Sequence, residues 1–168
     1  MTPLDTATRE RIVLCARTLI GVPYLFGGNI PSDGGLDCSG LTQWVLACAG
    51  VEPWATRYPT GRDDTADSLY HGCVSVNPSA VQPGDLVFYG RAGPPGEGKA
   101  THVVIVTDVV RDKSGALVHA EVTGQSRGDR TCVSIEVALR KGARSRTFAT
   151  HRYRGDFVGF AEPRLRTA

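Results

Sequence analysis

The chain has 168 residues, 41% of them hydrophobic and 21% charged, enough to bury one sizeable core and short for two full domains, so a single domain over 1–168 is expected. Five cysteines at wide spacing, with no CxxC pair, fit neither a disulfide framework nor a zinc site, and no metal or other cofactor is expected. No stretch approaches the roughly 18 consecutive apolar residues of a membrane span, and the N-terminus lacks the basic-then-apolar pattern of a signal peptide.

Taken in chain order, residues 6–20 place Ile12, Val13, Ala16, Leu19 and Ile20 on one helical face, and Gly21 stops that helix. A Gly-rich approach over 33–37 leads into a second apolar stripe of Leu41, Trp44, Val45, Cys48 and Ala49, which Gly50 can close as a C-cap. Residues 51–83 read as irregular, with a short helix near 63–70. Strands are expected near 86–89, 102–110, 116–122, 132–137 and 157–160. Between the second and third of these, Asp112-Lys113-Ser114-Gly115 is a turn signal that predicts an antiparallel hairpin. Helices followed by consecutive strands predict an α+β fold, with N-terminal helices packed on a central antiparallel sheet of about five to six strands.

The tetrapeptide Asp37-Cys38-Ser39-Gly40 stands immediately before the second stripe, which places Cys38 at a helix N-terminus. Unpaired backbone N–H groups and the macrodipole favour an anion there, so the thiol is expected to be pulled down toward thiolate and to alkylate early at mildly acidic pH. A lone Cys is more often a buried structural residue, and a nucleophile needs an imidazole to take its proton and a third polar group to fix that ring. Of four histidines, His102 opens the β-branched run His102-Val103-Val104-Ile105-Val106, and His119 lies in the alternating segment Leu117-Val118-His119-Ala120-Glu121-Val122. On adjacent strands the two are expected to meet. Should His119 not be the third member, Glu121 and then Gln125 are the next candidates. Cys15, Cys48, Cys73 and Cys132 read as core or surface thiols.

Five pieces together resemble the NlpC-type cell-wall peptidases, a family of papain-like cysteine peptidases. They are Gly21-Val22-Pro23-Tyr24-Leu25-Phe26-Gly27-Gly28, Asp37-Cys38-Ser39-Gly40-Leu41, Val81-Gln82-Pro83-Gly84-Asp85-Leu86-Val87-Phe88-Tyr89, Thr101-His102-Val103-Val104-Ile105-Val106 and Val118-His119-Ala120. They run in the family's order across most of residues 10–122. The resemblance implies that Cys38 is the nucleophile, His102 the general base and His119 the residue that orients it. It also implies that Tyr24 and the Cys38 N–H stabilise an oxyanion and that Asp37 and Ser39 face the substrate. The implied reaction is hydrolysis of peptidoglycan stem peptides through a thioester, most directly at the bond between γ-D-glutamate and the diamino acid. If Asp37 faces the cleft, its carboxylate could pair with the free α-amine of stems already stripped from the glycan; intact wall and free stem peptides both stay open as substrate.

Other readings stay open beside this one. They are a phage lysin or exported antibacterial toxin cutting another wall amide, and a non-catalytic wall-binding or phage structural module, against which a complete Cys38, His102 and His119 set argues. The expected place of action is the bacterial cell wall, in the periplasm or outside the cell. The absent signal pattern then points to a truncated piece, a phage-borne enzyme or a non-standard export route. From Arg140 onward eight Arg and Lys face only Asp156 and Glu162, while the whole chain carries +2. That basic end reads as a solvated face or as a contact for anionic wall polymers, and it lacks the aromatic interleaving of a nucleic-acid site. The Gly/Pro-rich stretch 90–99 before His102 reads as a surface loop or as a border of the substrate groove.

Overall fold

The computed structural model describes residues 2–51, 65–91, 93, 98–124, 128, 130–138, 151–153 and 156–164. Helix α1 (Thr6–Thr18) begins where Asp5, in extended backbone, accepts the Thr8 N–H at 2.7 Å. Its stripe of Thr8, Ile12 and Ala16 is buried, whereas Ile20, predicted on the same face, lies beyond the helix and is exposed. Helix α2 (Cys38–Cys48) is capped by Asp37 and ends in a Schellman motif. The Val51 N–H reaches the Leu46 carbonyl, the Gly50 N–H reaches Ala47, and Gly50 takes the left-handed φ of 78° that the motif requires. Helix α3 (Ala66–Gly72) starts on a capping box between Thr65 and Ser68, so the predicted 63–70 helix is present with a later start; 63 and 64 lie outside the described residues.

Seven strands follow in the chain: β1 (Val74–Val76), β2 (Leu86–Arg91), β3 (Lys99–Arg111), β4 (Leu117–Gly124), β5 (Val133–Ala138), β6 (His151–Tyr153) and β7 (Phe157–Glu162). They form one sheet in the order β1-β7-β2-β3-β4-β5-β6. The α+β architecture is as expected, with two differences. Among the described residues the sheet has seven strands rather than five to six, and β5 pairs with β6 in parallel while the other strand pairings are antiparallel. The unforeseen strands β1 and β6 have three residues each, too few to display a period of two.

The two faces of the sheet carry separate apolar clusters. Leu86, Phe88, Val103 and Ile105 point to the helices and pack with Ile12, Leu41, Val45 and Leu69. Val87, Tyr89, Val104 and Val106 form the opposite cluster with Val81, Ala120 and Phe160. Both faces of β2 and β3 are therefore covered, which explains their unbroken β-branched and aromatic runs. A buried ion cluster ties the first helix to the sheet. Arg9 on α1 donates to Asp85 at 2.7 Å, to Glu162 at 2.5 Å and to the Pro83 carbonyl at 3.1 Å. Glu162 also accepts the Leu4 N–H at 3.1 Å and the Arg164 guanidinium at 2.7 Å. One of the two acids counted against the basic end is thus a core residue. The remaining basic residues of that region are outside the described residues, or their side chains are, as are residues 92 and 94–97 of the Gly/Pro-rich stretch.

Candidate functional site

Asp37 is the residue from which the site is built. Its backbone is extended, and its Oδ1 accepts the Gly40 N–H at 2.7 Å and the Ser39 hydroxyl at 2.9 Å, which starts α2 with Cys38 as its first helical residue. Its Oδ2 accepts the Gly27 N–H at 3.0 Å, and its own N–H donates to the Gly28 carbonyl at 3.0 Å. The 24–28 loop is thereby laid across the first turn of α2. At its other end the loop is held by backbone bonds: Tyr24 N–H to the Arg130 carbonyl at 2.7 Å, Leu25 N–H to Leu36 at 3.1 Å, and Leu36 N–H to Pro23 at 3.0 Å. Tyr24 bridges Leu36 in parallel, two residues before Cys38. Asp37 and Ser39, expected to face substrate, are bonded to each other, and Asp37 also to this loop.

Cys38 is half-buried against the helix side of the core. Burial pushes its thiol up from the ordinary value. The backbone N–H of Val103 opposes this, the Asp37 charge adds to it, and the N–H groups of Ser39 and Cys38 itself oppose it again. The expected lowered thiol is therefore not what the fold produces, because desolvation outweighs the helix end. Burial also pushes up Cys15, Cys73 and Cys132, the last to about 12, and of these four thiols Cys38 alone is also drawn downward by neighbouring backbone N–H groups. The sequence carried no sign of the Val103 N–H, which comes from a distant strand.

Cys38 packs beside Val103 on the helix face of β3, and His102 is the residue before Val103 on that strand. The half-buried His102 ring stacks on Tyr89 across the β2–β3 pair, with centroids 6.1 Å apart and planes 29° apart. His119 is elsewhere. The β3–β4 register sets it opposite Val110, eight residues along β3 from His102, a separation of about 26 Å at a strand rise of about 3.3 Å per residue. The expectation that His119 orients His102 is corrected by this register; the His119 side chain itself is outside the described residues. Glu121 fails for the same reason: it sits opposite Asp108 and holds Thr107 at 2.8 Å and Arg17 at 3.1 Å. The signal that could have warned of this was in the sequence. Counting outward from the Asp112–Gly115 turn pairs 119 with about 110, not with 102. Gln125, the remaining candidate, follows Gly124 in sequence and lies outside the described residues. Among the described residues no group of three His, Cys, Asp or Glu is arranged to hold a metal ion.

A family model described as NlpC/P60 matches residues 21–152, from the Gly21 loop through both strands of the hairpin. The chain belongs to the NlpC/P60 family. Among curated relatives, a probable endopeptidase of Mycobacterium tuberculosis is 36% identical over 121 residues, covering 67% of this chain and 29% of the relative. A gamma-DL-glutamyl hydrolase of Bacillus subtilis is 37% identical over 89 residues, covering 52% and 19%. The chain thus spans less than a third of the length of these relatives. An NlpC/P60 family protein from Bacillus cereus shares the fold with a TM-score of 0.60 at 18% identity, over 96% of this chain and 41% of that one. A Staphylococcus aureus protein of the same family gives 0.60 at 20%, over 99% and 44%.

Proposed function

We propose that this NlpC/P60 domain is a cysteine endopeptidase that hydrolyses peptidoglycan stem peptides at the bond between γ-D-glutamate and the diamino acid. The observation that carries the reading is Cys38 as the first residue of α2, packed in the same core cluster as Val103, the residue that follows His102 on β3. The names of the Mycobacterium tuberculosis and Bacillus subtilis relatives, a probable endopeptidase and a gamma-DL-glutamyl hydrolase, support the reaction class and a γ-glutamyl linkage.

The mechanism follows from the raised thiol. At rest the sulfur keeps its proton, and His102 takes it as the sulfur attacks the amide carbon. In this reading the Cys38 N–H and Tyr24 donate to the developing oxyanion, the roles that the family resemblance implies for them. Collapse breaks the C–N bond, the proton on His102 goes to the leaving amine, and a thioester to Cys38 remains. His102 then takes a proton from water, whose oxygen attacks the thioester and returns Cys38 to its thiol form. Gln125 is our candidate for the group that orients His102. The site of action is the bacterial cell wall, and the basic end from Arg140 serves as a contact for anionic wall polymers.

Mass spectrometry of defined muropeptides incubated with the purified protein tests this reading, with Cys38→Ala as the control. Products split between the γ-D-glutamyl and diamino acid residues, absent with Cys38→Ala, are expected. Cleavage at another amide corrects the bond. Undiminished cleavage by Cys38→Ala overturns the cysteine mechanism, and no cleavage of any wall peptide favours a non-catalytic wall-binding module.

A further inference from the structure

We propose that Asp37 is a positioning residue, whose two carboxylate oxygens latch the 24–28 loop onto the first turn of the helix that carries Cys38 and so set where Tyr24 stands relative to the sulfur. This rests on the reading of Cys38 as nucleophile and of Tyr24 as an oxyanion donor. It assigns Asp37 a place in the architecture of the site rather than in the binding of a substrate amine.

Three observations converge on the latch. The first is occupancy, since Asp37 accepts from Gly40 at 2.7 Å, Ser39 at 2.9 Å and Gly27 at 3.0 Å, while its N–H donates to Gly28 at 3.0 Å. Both oxygens are committed, one to the helix and one to the loop. The second is the choice of residue. As an N-cap alone, Asn or Ser serves as well as Asp. An Asp beside a sulfur that must become an anion is electrostatically costly, and its charge does push the Cys38 thiol upward. What Asn cannot do is accept from two directions, because its amide nitrogen is a donor and would face the Gly27 N–H donor to donor. The negative charge is retained in spite of its effect on the sulfur because the second oxygen has a bond to make. The third is the closeness of loop and helix. A Cβ on Gly40 would fall on the Gly28 carbonyl oxygen and 3.0 Å from Asn29 Oδ1, so the two backbones touch at the level of the latch. Gly27 turns there with a φ of 77°, which aims its N–H back at Asp37.

The loop then has two anchor points with Tyr24 at one of them. Backbone bonds at 24 and 25 fix its start, and Asp37 fixes 27 and 28. Replacing the carboxylate leaves the helix capped and the Asp37 N–H on Gly28 but removes the bond to the Gly27 N–H, so the stretch that follows Tyr24 loosens between its backbone anchors.

Asp37→Asn tests the latch in two ways that do not share a failure. Amide hydrogen exchange on the whole protein, without substrate, should show the Gly27 N–H losing protection while the Gly40 N–H keeps it; unchanged protection at Gly27 overturns the latch whether or not the protein is an enzyme. Steady-state kinetics on a free tripeptide and on its N-acetylated form should show kcat falling by about tenfold or more with KM little changed, and by the same factor on both substrates. A loss confined to the free-amine substrate and expressed in KM overturns the latch in favour of an amine receptor. Full activity on both also overturns it. Asp37→Ser, a good N-cap with one short oxygen, repeats both measurements if Asp37→Asn does not fold, with the same expectations. Failure of the wild type to cleave either peptide refutes the proposed reaction and leaves the exchange result to decide the latch.

Discussion

Gly40→Ala is the sharpest probe of how the site is held. In an ordinary helix the change is favourable by about 1 kcal/mol, since Gly carries the larger backbone entropy. Here the new methyl would overlap the Gly28 carbonyl oxygen and lie 3.0 Å from both the Gly28 carbonyl carbon and Asn29 Oδ1. Backbone cannot yield as a flexible side chain does, so the 24–28 loop must withdraw by about 1 Å. Overpacking of this kind costs about 1–3 kcal/mol, which the helix gain partly offsets, leaving a net loss of about 0–2 kcal/mol. The effect on catalysis is larger, because a shift of about 1 Å in a positioned group can cost about 100-fold. Gly40→Ala should therefore unfold in urea at or below the wild-type midpoint while its kcat/KM on the stem tripeptide falls by about 100-fold. A variant that is both more stable than wild type and within about twofold of its kcat/KM would refute the close approach of loop to helix.

Other perturbations separate the roles of the remaining residues. Arg9→Met leaves Asp85 and Glu162 buried without their shared guanidinium and should cost about 3–5 kcal/mol in urea denaturation, whereas loss of an exposed ion pair would be hard to measure. His102→Ala should abolish turnover and His119→Ala should retain most of it, given the eight-residue offset on β3; Gln125→Ala is expected to fall between them, and full loss in His119→Ala would refute the register argument. The Cys38 thiol is raised, so at any given pH it holds less thiolate than a free thiol. Its alkylation by iodoacetamide should accordingly rise through a midpoint on the alkaline side of free cysteine, and a midpoint on the acidic side would show that burial is not the dominant influence. In Asp37→Asn the same midpoint should move down, since the Asp37 charge raises it.

The sequence by itself determined what depends on near neighbours. Asp5 and Asp37 cap helices by bonding amides three residues on, Gly50 closes α2, and the Asp112–Gly115 turn joins β3 to β4, so these elements stand close to where periodicity and capping put them. The same locality made Cys38 legible as the first residue of a helix. The tertiary structure decided what depends on pairing over distance. Strand register separated His119 from His102, and the return of β7 between β1 and β2 had no local sign. The Asp37–Gly27 bond spans ten residues and turns an N-cap into a tether between two segments. The state of the nucleophile was decided there as well. A helix end alone favours thiolate, but the core that closes over Cys38 removes the water a thiolate needs, and the loss of solvation outweighs the N–H groups gathered on the sulfur.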